Sequence, residues 1–174
     1  MLKNIKFYIK QTQFLKPSEI RLICTLKNTE WHFGIREQHN WFQKEVKKKD
    51  IHILLTKNNN LVGYTCLRYK KFFFEGKLCP FLLFDTHIIK KNFRNKGFGK
   101  ILISKVIKII KNKKILSLLF CKNDQLKYYK KYNWNIVNKK KYLSNKIHKK
   151  LNLMYLGKKN FFKKKLFLRI SFFN

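Results

Sequence analysis

The stretch RNKGFGK, residues 94–100, joins two apolar segments of different character. The segment before it, PFLLFDTHII (residues 80–89), is rich in aromatic and aliphatic residues and predicts a β-strand. The segment after it, GKILISKVIKII (residues 99–110), predicts a well-buried helix. A strand, a glycine-containing loop and a helix N-terminus suit an anion such as a pyrophosphate, because backbone N–H groups and the helix dipole both face it. The stretch lacks the glycine spacing of the Rossmann and P-loop motifs, so a basic turn explains it equally well when it is taken alone.

The segments on either side of this unit predict an α/β domain. Further strands are predicted at residues 5–9, 51–56, 61–69, 115–121 and 134–137. Further helices are predicted from Pro17, over residues 36–48 and over residues 124–132. The predicted fold is a single α/β domain with a mixed, mostly antiparallel, twisted sheet of six to seven strands and about four flanking helices.

The charge of the chain is extreme: 42 Lys and Arg stand against eight Asp and Glu, a formal net charge of +34. Such a charge suits a polyanionic partner, for example RNA, DNA or an anionic membrane surface. A second explanation is compositional, because the chain contains no alanine and its lysines are spread over every segment. We favour the second explanation, since a nucleic-acid binder concentrates its charge in a patch. Nucleic acid is therefore a partner that the sequence allows but does not favour.

The four cysteines and five histidines are widely scattered, without the spacing of a metal-binding motif. We therefore expect no metal cofactor, and free thiols suit a reducing compartment. The first 20 residues lack an apolar signal core, and no run reaches the roughly 20 apolar residues of a membrane span. These patterns predict a soluble, cytoplasmic protein.

Two motifs in the expected order carry a family resemblance. Arg94-x-x-Gly97-x-Gly99 after a strand resembles the RxxGxG acetyl-CoA signature of the GNAT N-acetyltransferases, and YYKKYNW (residues 128–134) is similar to the family's LYEKLGF-type segment. The resemblance covers about residues 3–156. It implies a GNAT-like domain over residues 1–156 with a central splay between two strands, and it leaves a homodimer open. A basic, aromatic extension over residues 157–174 follows, which could add a strand.

The resemblance also implies a binding site for acetyl-CoA, built mostly from backbone groups. In the family, the loop after the splayed strand holds the pyrophosphate through its N–H groups, and the end of that strand pairs with the pantetheine arm. The residues at these positions are His87, Ile88, Ile89, Arg94, Asn95, Lys96, Gly97, Phe98, Gly99 and Lys100. The chain departs from the family at Asn133, where glycine is usual, and at Trp134, where phenylalanine is usual. It also has Lys122 where the resemblance implies an asparagine, so Asn123, one residue later, is the candidate for contacting the cofactor.

The resemblance implies a tyrosine that protonates the departing thiolate, and Tyr129 stands at its position. An aromatic core stripe formed with Tyr128 and Tyr132 is the alternative. Glu30 and Glu37 lie near the first two helices, where the family builds its acceptor wall. They could attract a cationic amine there, or simply lie on the surface.

An amine must be neutral to attack a thioester, so a general base has to take a proton, directly or through water. Asp85 lies in the apolar run FLLFDTHII, where a carboxylate is costly unless it faces a polar cleft or a partner. Strand alternation predicts Asp85, His87 and Ile89 on one face, and the aminoglycoside 2'-N-acetyltransferase branch of the family has an acid at this position. We predict Asp85 as the base or the amine-binding residue, with a buried structural ion pair as the alternative. His87 either relays the proton or contributes its backbone alone.

These features together predict an enzyme that transfers acetyl from acetyl-CoA to a primary amine of a small molecule. The acceptor would be an amino sugar or an aminoglycoside-like compound, attacked directly in a ternary complex. A protein acetyltransferase acting on a ribosomal protein or an N-terminus is one alternative. A non-enzymatic, basic RNA-binding module on a GNAT scaffold is the other.

Overall fold

The computed structural model describes residues 3–74, 77–139, 142–143, 150–157 and 168–169. The strands in this part of the chain are β1 (Ile5–Gln11), β2 (Ile51–Lys57), β3 (Asn60–Phe74), β4 (Lys77–Ile89), β5 (Ser117–Cys121), β6 (Asn135–Ile136), β7 (Tyr142–Leu143), β8 (Asn152–Leu156) and β9 (Leu168–Arg169). The helices are α1 (Pro17–Asn28), α2 (Ile35–Glu45), α3 (Phe98–Lys113) and α4 (Leu126–Lys130). This order confirms the predicted α/β fold.

Seven strands form one mixed sheet in the order β1-β2-β3-β4-β5-β8-β6. The pairs β1–β2, β2–β3, β5–β8 and β6–β8 are antiparallel, whereas β4 and β5 are parallel. The ladder between β4 and β5 covers only two residue pairs, Leu82 with Ser117 and Leu83 with Leu118. Strand β4 then continues to Ile89. This early end of the ladder agrees with the predicted central splay.

The chain divides into two compact units, residues 1–68 with 85–106 and residues 69–84 with 107–174. The core of the first unit joins apolar faces of α1 and α2 to β2, β3 and β4, with Ile23, Phe42 and Leu54 among its buried members. The core of the second unit includes Phe72, Phe81, Leu118 and Leu153. Two sequence features account for these cores. The strands are rich in β-branched and aromatic residues, and the apolar residues of α1 and α2 recur at helical spacing.

The first core also encloses a buried imidazole. His52 of β2 is fully buried, stacks between the rings of Phe42 and Tyr64, and hydrogen-bonds through Nδ1 with the Tyr64 hydroxyl at 2.8 Å. Its Nε2 hydrogen-bonds with Thr12 Oγ1 at 2.9 Å. Burial lowers the pKa of His52 to about 4. The folded chain therefore holds His52 neutral at physiological pH.

Several element ends have local causes. Helix α1 begins at Pro17, which suits the first turn because the missing N–H would have no helical acceptor. Glu19 accepts a hydrogen bond from the Lys16 backbone N–H at 2.8 Å and pairs with Lys10 at 2.8 Å. Helix α2 ends at Glu45, three residues before the predicted end, because Val46 is extended.

Two predictions about the second half need correction, and one lies largely outside the described residues. The predicted strand at residues 115–121 begins at Ser117, and the predicted helix at 124–132 shrinks to α4 after a tight turn at Asn123–Gln125. In the tail, β9 pairs in parallel with β7 as a separate two-stranded sheet. Residues 158–167 and 170–174 are not described, so the limit between domain and extension at residue 156 stays a prediction.

Candidate active site

The glycine-containing loop begins where β4 ends. A tight turn at Lys91–Phe93 follows Ile89, and α3 begins at Phe98, as predicted. Asn95 and Gly97 have φ values of 58° and 83°, and residues 95–97 are exposed. The N–H of Ile101 donates to the Gly97 carbonyl at 3.2 Å, so the N–H groups of residues 98–100 precede the first helical hydrogen bond. Donors of this kind, at the positive end of a helix dipole, suit a phosphate group.

Two basic side chains of the loop are folded back onto the protein. Arg94 Nε donates to the Ile89 carbonyl at 2.9 Å, and its guanidinium pairs with Glu30. Lys96 Nζ donates to the Asn92 carbonyl at 2.9 Å. These contacts hold the loop to the end of β4, and they leave the backbone as its main anion-binding surface. The predicted acceptor-wall residue Glu30 therefore lies against Arg94.

A cavity of about 560 Å³ lies in the first unit, between α1, α2, the segment that joins them, and β4. Its walls carry aromatic, acidic and basic side chains, and the lining residues are Lys27, Trp31, Phe33, Glu37, Gln38, Trp41, Asp85 and Thr86. The structure thus brings together Glu37 and Asp85, two acids that the sequence singles out. A cavity of this size accommodates a small-molecule ligand.

Asp85 has both carboxylate oxygens engaged. Its Oδ2 accepts a hydrogen bond from Arg68 Nη1 at 3.0 Å, and its Oδ1 accepts one from Thr86 Oγ1 at 3.4 Å. Arg68 is 5% exposed and also binds Glu45, with its Nε 3.9 Å from Asp50. Three of the eight acids of this chain therefore surround one guanidinium. Of these three, Asp85 is the one that lines the cavity.

The end of β4 contains one residue with a left-handed backbone. Thr86 has a φ of 56°, which lies in the left-handed region that a β-branched residue rarely adopts. A strand that passes through such a residue changes the direction in which its following side chains point. Ile88 and Ile89 are both buried, as are the consecutive residues 81–84 of the same strand, so burial does not distinguish the two faces of β4. The common face of Asp85, His87 and Ile89 stays a prediction.

The environment of His87 keeps its imidazole uncharged. Burial lowers the pKa of His87 to about 4, so the ring is neutral at physiological pH.

Lys27 is a lining residue that the sequence analysis missed. It is 5% exposed, and its Nζ lies 3.3 Å from the centroid of the Trp41 ring. Burial lowers the pKa of Lys27 to about 8, although the nearby Asp85 carboxylate acts in the opposite direction. Helical register is the signal that could have found it, because Lys27 stands four residues after Ile23 on the apolar face of α1.

The second unit holds Tyr129, near the end of α4. Its ring is buried edge-on against Phe84, with the centroids 6.1 Å apart, and against Tyr128 and Trp134. Burial raises the pKa of Tyr129. Its phenol is therefore protonated at physiological pH, the form that can donate a proton.

Two asparagines of the second unit have clear structural roles. Asn133 has a φ of 64°, so it adopts the left-handed conformation in place of the family's usual glycine. Asn123 accepts a hydrogen bond through Oδ1 from Asn152 Nδ2 at 2.7 Å, which links the turn before α4 to β8.

The family profile for acetyltransferases of the GNAT family matches residues 19–134, which include the loop, the cavity walls and the Tyr129 segment. The chain belongs to the GNAT acetyltransferase family. It is an acetyl-CoA-dependent N-acetyltransferase, as the sequence predicts. No curated protein sequence matches this GNAT chain significantly.

Solved structures agree with the GNAT fold at low sequence identity. Escherichia coli ElaA superposes with a TM-score of 0.65 at 16% identity, covering 87% of this chain and 98% of ElaA. An acyl-CoA N-acyltransferase from Pseudomonas aeruginosa gives a TM-score of 0.63 at 13% identity, covering 87% and 97%. Arabidopsis thaliana Naa50, in complex with the bisubstrate analogue CoA-Ac-MVNAL, gives 0.59 at 16% identity, covering 87% and 98%. In the described part of this chain, no helix has the length and apolar character to cross a membrane.

Proposed function

We propose that this acetyltransferase acetylates a primary amine of a small, cationic molecule such as an amino sugar or an aminoglycoside-like compound. The observation that carries the proposal is the cavity of about 560 Å³ with Glu37 and Asp85 in its wall. This chain has only eight acids against 42 basic residues, so the presence of two carboxylates in the wall of one cavity distinguishes this cavity as a place for a cationic group. The attack is direct, in a ternary complex.

The loop of residues 94–100 fits the pyrophosphate of acetyl-CoA. Its exposed residues 95–97 and the N–H groups that begin α3 supply donors, and Lys100 is exposed at the same helix end. The backbone of residues 87–89 lies just upstream, where the family pairs strand and pantetheine. Acetyl-CoA supplies the activated acetyl group when it is bound.

Within the cavity, we assign Asp85 to holding the acceptor's ammonium group. The guanidinium of Arg68 binds one carboxylate oxygen of Asp85 at 3.0 Å. The same ion pair fixes the orientation of the carboxylate, which favours a binding role. Glu37 adds a second negative charge in the wall.

Tyr129 is our candidate for the proton donor to the departing thiolate. Its register in the family motif and its protonated phenol support this role. Asn123 stays a weaker candidate for contacting the cofactor, because its side-chain oxygen is engaged by Asn152.

A protein N-terminus is the second candidate acceptor. Naa50 was solved with an analogue that joins CoA to the peptide MVNAL. In this chain Trp31 and Phe33, which line the cavity, are 36% and 71% exposed, so an apolar first side chain would find aromatic contacts there.

The test is a thiol-release assay with acetyl-CoA and a panel of amino sugars, aminoglycosides, polyamines and short peptides. We expect turnover with at least one cationic small molecule, at a higher kcat/KM than with any peptide. If only peptides are acetylated, the proposed acceptor is a protein N-terminus and not a small molecule. Failure of acetyl-CoA to raise the melting temperature would contradict the proposed cofactor site.

We also propose that residues 1–156 form the catalytic domain and that the enzyme is cytoplasmic. All four cysteines are free, and Cys24, Cys66 and Cys121 are buried, which fits a reducing compartment.

A further inference from the structure

Lys27 lines the cavity, and its side chain is almost fully enclosed. Lysine side chains are almost never fully buried without a partner, yet Lys27 is 5% exposed and has its Nζ over the face of Trp41. The residue comes from the last turn of α1, and it lines the same cavity as Asp85 and Glu37. Its amine is thus held at the wall where the acceptor would bind.

We propose that Lys27 is the general base that takes the proton lost by the acceptor amine. The proposal rests on the proposed function, since it requires the acceptor to occupy this cavity. An acceptor that binds as an ammonium first releases one proton to the solvent. The lone pair of the resulting neutral amine forms the new bond to the acetyl carbon, and one of its remaining N–H bonds breaks with the electron pair staying on nitrogen. The proton adds to the lone pair of the neutral Lys27 amine, directly or through a water molecule. The C–S bond of the thioester breaks, and its electron pair leaves with sulfur.

Groups from four elements set the charge of Lys27. Asp85 on β4 favours the ammonium form, whereas Arg68 on β3 disfavours it. Cys24 on α1 and Cys66 on β3 are also near the amine, and burial raises the pKa of both thiols, so they are uncharged where Lys27 titrates. His52 on β2 is close enough to sense the ammonium.

The balance of these effects places the pKa of Lys27 at about 8, with burial as the largest cause. A base is most effective when its pKa is close to the working pH, because the neutral form is then present and still binds a proton well. After the transfer, the ammonium is stabilised by the ring of Trp41 and the charge of Asp85. Asp85 therefore supports the base instead of acting as one.

The variants Lys27→Arg and Lys27→Ala test the proposal. Arginine keeps a positive charge that can stack on Trp41, but it does not lose its proton. We expect both variants to lose about 100-fold or more in kcat/KM, the usual contribution of general-base catalysis. Arg21→Met is the matched control, because Arg21 is an exposed basic residue of the same helix. It should keep the activity of the native enzyme.

The pH profile separates a base from a merely structural lysine. The acceptor for this experiment carries an electron-withdrawing group beside its amine, so that the amine is neutral over the whole pH range. We expect kcat/KM of the native enzyme to rise with pH and level off above about 8, and we expect this inflection to vanish in Lys27→Arg. A small tertiary amine, which accepts a proton but cannot be acetylated, should restore part of the activity of Lys27→Ala.

The outcomes are distinct from those that test the proposed function. A native enzyme that acetylates no amine contradicts the function itself. Two results with an active native enzyme would overturn the role of Lys27. One is a Lys27→Arg variant that keeps the inflection in its pH profile, and the other is a Lys27→Ala variant whose activity stays within about threefold of the native value. If Lys27→Ala loses activity but is not rescued, while acetyl-CoA still raises its melting temperature, Lys27 shapes the cavity and is not the base.

Discussion

At the residue scale, Asp85 is the acid that joins the buried ion-pair cluster to the cavity. The sequence predicts its importance, because a carboxylate within an apolar strand is costly without a partner. The sequence does not predict Arg68 as that partner, since the choice among 42 basic residues depends on how β3 and β4 pair. The sequence does not predict Lys27 as a cavity residue either, because residue type does not distinguish an enclosed lysine from the many others in this chain.

Asp85→Asn should lower kcat/KM for a cationic acceptor by about 10- to 100-fold, mainly through KM, because the amide cannot pair with an ammonium. This range corresponds to roughly 1.4–2.8 kcal/mol of binding free energy. Steady-state kinetics with a cationic and an uncharged amine measure the effect. Glu45→Gln is the control, since Glu45 also binds Arg68 but does not line the cavity. Equal losses in both variants would indicate that Asp85 only supports the fold.

Gly97→Ala should raise the KM for acetyl-CoA several-fold, because a left-handed φ of 83° costs an alanine about 1–2 kcal/mol. Among the residues that the structure describes, leaving aside the two chain neighbours, no atom lies within 4 Å of the added methyl group, so the effect reports backbone strain and not a clash. Gly34→Ala is a closely matched control. Gly34 also has a positive φ, of 91°, and no close neighbour, but it precedes α2. Kinetics with varied acetyl-CoA should show a larger change in the Gly97 variant.

At the scale of elements, apolar periodicity predicts the existence and type of the helices and strands better than their ends. Helix α2 stops early because Val46 is extended, and Asp50 accepts a hydrogen bond from the Lys47 backbone N–H in the turn that follows. Such a contact between a side chain and the backbone carries no periodic signal. The left-handed Thr86 is equally hidden, because nothing in the residue type marks it.

Helix α4 has five residues, too few to be stable alone, so its packing must hold it in place. Tyr129→Phe keeps the ring contacts with Phe84 and Trp134 but removes the proton donor. We expect kcat to fall about tenfold or more, with the ring packing retained. Tyr128→Phe removes a neighbouring hydroxyl from the same helix and serves as the control. A thiol-release assay measures kcat, and melting curves measure whether the ring packing is retained. An unchanged kcat would show that Tyr129 is not the proton donor.

At the scale of the whole molecule, two short motifs predict the family because the loop and the Tyr129 segment are each continuous in sequence. The acceptor cavity is not predictable in this way, since its walls come from α1, α2, the segment between them, and β4. The sequence predicts Glu37 and Asp85 separately, and only the fold brings them into one cavity.

The free energy of unfolding should fall as the pH is lowered from about 6.5 to 4. In the unfolded chain His52 binds a proton below its ordinary pKa of 6.5, whereas in the folded chain its pKa is about 4, so protons favour unfolding in this range. The expected loss from this group is of the order of 3 kcal/mol. Urea unfolding at pH 7 and pH 4 measures it. A His52→Gln variant should show a shallower dependence, and a slope as steep as that of the native chain would assign the effect to other groups.

Strand β1 is the end strand of the seven-stranded sheet, with no strand beyond it in the described part of the chain, and its residues Tyr8 and Ile9 are exposed. Such an edge is a template on which a strand of another molecule can add, the first step of aggregation. Lys6 is exposed on the same strand, and an incoming strand would have to desolvate its charge. Two copies meeting edge to edge would also carry +34 each. We therefore expect the excess of lysine, whatever its origin in composition, to oppose the addition of a second copy at this edge through repulsion between like charges.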